Sequence, residues 1–82
     1  MKFCDFINSV LSRATEFPNM IRVINYKIGE IYDFYNDVEK YGFHHSEIDN
    51  YYFATRVPNY YKLNICCTWQ DSGCCLNIVV EE

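Results

Sequence analysis

Residues 29–43, GEIYDFYNDVEKYGF, decide how this chain is put together. Ile31, Phe34, Tyr35, Val38 and Tyr41 recur at helical spacing and define one apolar stripe. Gly42 stands where a left-handed residue ends a helix, and Phe43 follows within reach of Val38, as in a Schellman cap. The stretch is therefore expected to be a helix. Beside its apolar stripe runs an acidic one, with Glu30, Asp33 and Asp37 at i, i+3 and i+7 and Tyr32 and Asn36 flanking them. The helix dipole accounts for acids in the first turn, Glu30 and Asp33, but not for Asp37 or Glu39.

On the N-terminal side, Phe3, Phe6, Ile7, Val10 and Leu11 share one face, against Lys2, Asp5, Asn8, Ser9, Ser12 and Arg13 on the other. That pattern predicts an amphipathic helix over about residues 2–14, broken before Pro18. MIRVINYKI follows, rich in β-branched residues, and predicts a strand over about residues 20–27. Both faces of this strand are partly apolar, Ile21 and Val23 on one and Ile24 and Tyr26 on the other.

On the C-terminal side, HHSEIDN is expected to be a turn, with Ser46 able to cap a short helical piece. YYFATRV is expected to be a strand, Pro58-Asn59 a tight turn, and YYKLNICCTW and CCLNIVV the last two strands. The order α-β-α-β-β-β implies an α+β fold in one domain, residues 1–82. Two helices would pack on one face of a mostly antiparallel four-stranded sheet. Tyr52, Ala54, Leu63, Ile65, Trp69, Leu76, Ile78 and Val80 are the expected helix-facing residues.

The final hairpin carries the two cysteine pairs. With Gln70 to Gly73 as a four-residue loop, Trp69 faces Cys74 and Cys67 faces Leu76. Cys67 then points inward and Cys66 and Cys75 outward, as diagonal neighbours roughly 7–8 Å apart, too far for a disulfide. Adjacent cysteines of a strand point to opposite faces, so four sulfurs do not converge on a zinc ion. His44, His45, Glu47 and Asp49 are better read as a solvated turn than as ligands. No metal or cofactor is expected. A thiol pair at Cys66 and Cys75 stays as an alternative, with His44 or His45 as possible helpers.

Composition narrows the function. The chain has 82 residues, 18% of them aromatic, with net charge −4 and no cluster of Lys or Arg. Direct nucleic-acid binding and attachment to acidic membranes both call for basic patches. No apolar run approaches the ~20 residues of a membrane span, and MKFCDFINSV lacks a signal-peptide core. The expected site is a reducing cytoplasm, where the five cysteines remain thiols. There is no phosphate loop, nucleophile elbow or recognisable acid–base motif, so no enzyme is expected.

The charge is unevenly placed. From Glu30 to Asp49 six acids stand against Lys40, a local balance of −5. The expectation is an acidic protein-binding module that inhibits a larger, nucleic-acid-handling partner by occupying its basic surface. Small immunity proteins and phage inhibitors of bacterial defence share this size and sign. Glu30, Tyr32, Asp33, Asn36 and Asp37 would form one contact surface. A second would be the outer sheet face, with Tyr51, Phe53 and Tyr60 beside Val57, Cys66, Cys75 and Val79. Its apolar character also makes a homodimer, or a homo-oligomeric structural module, an alternative.

Overall fold

The computed structural model describes residues 1–12, 18–35, 53–71, 73 and 75–82. Helix α1 (Phe3–Leu11) and strands β1 (Met20–Asn25), β2 (Glu30–Tyr35), β3 (Asn64–Gln70) and β4 (Cys75–Glu81) follow in that order, with a short 3-10 turn at Tyr60–Lys62 before β3. The sheet order is β2-β1-β4-β3. β1 pairs antiparallel with β2, β4 antiparallel with β3, and β1 and β4 run parallel in the middle. The fold is α+β, and the sheet is mixed.

α1 forms as its pattern requires. Phe3, Ile7 and Val10 are buried, and Asp5 and Asn8 face water. The expected second helix is not what its first half adopts. Glu30–Tyr35 is strand β2, joined to β1 by the turn Tyr26–Gly29, where Gly29 supplies φ 70 at no steric cost. Residues 36–43 lie outside the described residues, and with them the cap at Gly42. EIYDFY satisfies both periods locally: Phe34 belongs to the helical stripe and also to the inward set of a strand. Tertiary pairing decides. Six rungs join β2 to β1, Phe34 is buried opposite Ile21, and Arg22 meets Asp33 across the hairpin.

YYFATRV is a second correction. Its described part, Phe53 to Val57, is one helical turn: the Phe53 carbonyl accepts from the N–H of Arg56 at 3.1 Å and of Val57 at 2.8 Å. Phe53 and Val57, four apart, both point into the core. Asn59 takes a left-handed φ of 58, and its carbonyl receives the Lys62 N–H at 2.8 Å, so Pro58-Asn59 does turn the chain, into the 3-10 segment. Aromatic contacts tie these pieces together. Phe34 and Phe53 lie 4.7 Å apart between ring centres, Phe53 and Tyr60 6.5 Å, and Tyr60 and Phe3 5.2 Å edge to face. α1 and both turns thus cover the inner face built by Ile21, Val23, Phe34, Leu76, Ile78 and Val80.

The last hairpin shifts register. Trp69 faces Asn77 rather than Cys74, and Gln70 faces Leu76. The cause is Asp71, whose carboxylate accepts the N–H of Gly73 at 3.0 Å and of Cys75 at 3.2 Å and so closes the loop further along the chain. A slip of three residues reverses parity, which would turn Leu63 and Ile65 outward. A β-bulge between Ile65 and Cys67 restores them, and Ile65 faces Val80. Leu63, Ile65, Leu76, Ile78 and Val80 therefore serve the core as expected, with Ala54 packed against it, while Trp69 does not and Tyr52 is outside the described residues.

Truncating Phe53 removes the middle ring of the aromatic chain. Phe53→Ala is expected to cost about 3–5 kcal/mol, and Trp69→Ala well under half of that, in urea unfolding followed by circular dichroism. Equal losses would show that Trp69 is a core residue after all.

Candidate functional site

On the outer face of the sheet Cys75 and Asn77 of β4 are buried, whereas Ile31 and Asp33 of β2 and Cys67 and Trp69 of β3 are exposed. Strand parity sets two rows across that outer face. One is Ile31–Ile24–Val79–Cys67, and the other is Asp33–Arg22–Asn77–Trp69. Ile31 is 58% exposed and Trp69 47%, while Ile24 and Val79 between them are half-buried. The first row is apolar from end to end. In the second, Arg22 holds Asp33 through two hydrogen bonds, Nε to Oδ1 at 2.7 Å and Nη2 to Oδ2 at 3.0 Å. Asn77 is buried and donates its amide to the Cys75 carbonyl at 3.3 Å. At the margin Lys27 meets Glu81 at 3.1 Å. Arg22, Asp33, Lys27 and Glu81 are thus each paired with an opposite charge, and what this face offers a partner is apolar area.

β3 is the edge beside it, NICCTWQ, with no charge, proline or glycine. Its first residues are already paired with the chain start. Ile65 donates to the Met1 carbonyl and Phe3 to the Leu63 carbonyl, each at 3.0 Å, around the bridge Lys2–Asn64. From Cys66 to Gln70 every residue is exposed. Behind this edge, between it and α1, opens a groove of about 600 Å3 lined by Phe6, Val10, Pro18, Thr68, Trp69, Gln70 and Leu76. None of those side chains can act as a general acid or base at neutral pH.

The expected contact residues scatter. Glu30 and Asp33 lie on opposite faces of β2, and Asp33 is held by Arg22. Tyr32 is half-buried on the inner side, where burial and then Glu30 raise its phenol above the ordinary tyrosine range. Phe53 and Tyr60 are core residues, so neither presents a surface to a partner. Asn36, Asp37 and Tyr51, like His44, His45, Glu47 and Asp49, lie outside the described residues. The acidic stripe needed a helix through Asp37; at Glu30 and Asp33 the strand dissolves it, because strand period 2 separates positions three apart.

The cysteines also move. Cys66 and Cys67 are both exposed, for Cys67 faces Val79 on the outer side and the bulge turns Cys66 toward Glu81. Cys75 is buried at the opposite end of β4, next to the loop, so Cys66 and Cys75 are not brought together. The Cys66 thiol is pushed up by burial first and then by the charge and hydrogen bond of Glu81. Burial likewise raises Cys75. Glu81 itself is held below the ordinary carboxylate range by Lys27, through its hydrogen bond and its charge, and Lys27 is raised by the same pair. Among the described residues no three His, Cys, Asp or Glu side chains are grouped to hold a metal ion.

Sequence reasoning missed Ile31 and Trp69 as surface residues. The signal for Ile31 was present: a turn at Tyr26–Gly29 places Arg22 opposite Asp33, an opposite-charge pair that suits a hairpin. For Trp69 the signal lay in Asp71, whose carboxylate can close a turn onto Gly73 and Cys75 and so shift the register of the hairpin. No protein-family model, no curated protein and no solved structure matches this chain. Among the described residues no helix is long and apolar enough to cross a membrane.

Two pH-linked outcomes follow from the Lys27–Glu81 pair. Its small surface contribution is present above the unfolded carboxylate pKa and below the unfolded lysine pKa. It is lost as pH falls through the lowered Glu81 value or rises through the raised Lys27 value. Glu81→Gln removes the negative charge beside Cys66 and should speed its alkylation by iodoacetamide at mildly alkaline pH, with no change at Cys75. Peptide-resolved mass spectrometry reads both rates, and an unaltered Cys66 rate would show that Glu81 does not act on the thiol.

Proposed function

We propose that this protein is a small non-catalytic binding module that occupies a surface of a larger protein through the outer face of its sheet. The reading rests on one observation: the open apolar row ending in Ile31, flanked by Trp69, on a face whose charges are matched within the chain. Apolar area of this kind, rimmed by polar groups, is characteristic of protein contact sites.

The acidic excess supports a second element of the same reading, attraction toward a partner with a basic rim, such as a nucleic-acid-handling protein that the module would inhibit. Residues 36–52 hold Asp37, Glu39, Glu47 and Asp49 against Lys40, most of the net −4. Such charge raises the rate of encounter more than the final affinity. Apolar area on the sheet would then supply the lasting contact. A cytoplasmic, reducing setting suits the exposed thiols of Cys66 and Cys67.

Affinity capture from a lysate with the folded protein as bait tests this. Ile31→Lys is expected to reduce recovery of the captured partner about tenfold, equivalent to about 1.4 kcal/mol. Paired Asp37→Lys and Glu39→Lys should slow association and weaken its dependence on salt. Undiminished capture by Ile31→Lys would remove the outer face as the contact.

A further inference from the structure

We propose that two copies of this chain pair edge to edge through β3, antiparallel about a two-fold axis at Thr68, into one continuous sheet. The hydrogen-bonding direction of the strand is settled by its neighbours. The Asp71 N–H bonds inward to the Cys75 carbonyl at 3.2 Å, with Gln70 opposite Leu76 and Trp69 opposite Asn77. In an antiparallel ladder these directions alternate. Asp71, Trp69 and Cys67 therefore direct their backbone groups toward β4, and Thr68 and Gln70 direct theirs outward. No backbone group among the described residues meets that outward side between Cys66 and Gln70, whereas Ile65 is already taken by Met1.

Among the described residues the span without an outward backbone partner runs from Cys66 to Gln70, and Thr68 is its midpoint. A copy turned about Thr68 uses the same span again: Thr68 exchanges both backbone bonds with Thr68 of the second copy, and Gln70 lies opposite Cys66 of that copy. Trp69 then lies opposite Cys67 of the second copy, as a non-hydrogen-bonded pair with Cα atoms about 4.5 Å apart. Both of these side chains sit on the outer face, so each indole covers the other copy's thiol and extends its apolar row past Val79. Met1 and Lys2 mark where the pairing stops at each end.

Charge selects this occupant and this edge. β3 carries no charged residue, so its copy meets no repulsion in a chain that is otherwise at net −4. The opposite edge, β2, carries two acids, Glu30 and the Arg22-paired Asp33, and so lacks the neutrality of β3. Natural edges are usually guarded by charge, proline, a β-bulge or a covering loop; the bulge of this edge, at Cys66, lies at the end of the span and leaves Cys67–Gln70 in regular register. Here Cys66–Gln70 has neither charge nor proline, and its residues are exposed.

The experiment uses the intact protein under reducing conditions, with mass in solution followed by analytical ultracentrifugation at micromolar and higher concentration. The expected result is a concentration-dependent species of twice the 9.8 kDa chain mass. Thr68→Pro removes the central outward N–H, and Thr68→Lys with Gln70→Lys sets like charges across the axis. Each should weaken the dimer at least tenfold while far-ultraviolet circular dichroism stays unchanged. Register is read separately. Trp69→Cys in a Cys66→Ser background should give a covalent dimer with copper phenanthroline, and further Cys67→Ser should abolish it. A monomer at all concentrations, a dimer indifferent to both edge variants, or a cross-link that survives Cys67→Ser would each overturn the proposal. Ile31→Lys, on the far edge, should leave the dimer intact, which separates this result from partner capture.

Discussion

The parallel pairing of β1 with β4 is the constraint on which the rest of this molecule depends. It puts the chain's last strand in the centre of the sheet, between β1 and β3. A central strand is covered on both sides, and CLNIVV meets that demand with Leu76, Ile78 and Val80 inward and Cys75 and Asn77 buried outward. Once β4 is central, β2 and β3 are edges, and the two edges differ in chemistry. β2 carries acids and ends the apolar row at Ile31; β3 is neutral and ends the adjacent row at Trp69.

Core and surface are reconciled in the last hairpin by two devices acting together. Asp71 clamps the loop with two hydrogen bonds, which displaces the register by an odd number of residues. Left alone, that slip would turn the apolar positions at the start of β3 to solvent. The bulge at Cys66 corrects the parity only beyond itself, so Ile65 stays with the core while Cys66, Cys67 and Trp69 are delivered to the surface. The exposed Cys67 thiol and the exposed indole thus share one origin, the shifted register.

Much of the scaffold was legible along the chain. α1 appears because Phe3, Ile7 and Val10 repeat at helical spacing over a stretch with no competing pattern. β1 appears because its residues are β-branched and both faces are partly apolar, which matches its place beside the central strand. The segment 30–35 was ambiguous, because six residues contain too few turns of either period to separate a stripe from an alternation. Phe53-Ala-Thr-Arg-Val57 has strand-like composition and yet forms a helical turn. There, the position of Phe53 between Phe34 and Tyr60 outweighs the modest β preference of its neighbours.

By itself the sequence determined the amphipathic first helix, the strand after Pro18, the closing pair of strands and the acidic balance of the chain. Each is a local pattern without a competing one, or a sum over residues. Tertiary structure alone decided that Glu30–Tyr35 extends as a strand, that β1 and β4 lie side by side in parallel, and that Trp69 faces solvent instead of the core. Those outcomes rest on contacts between residues far apart in the chain, Ile21 with Leu76 and Phe34 with Phe53, and on a loop clamp that fixes register. A one-residue change in register moves every side chain of a strand to the other face, so pairing and packing, not pattern, put Trp69 on the surface and Phe53, Val57 and Tyr60 in the core.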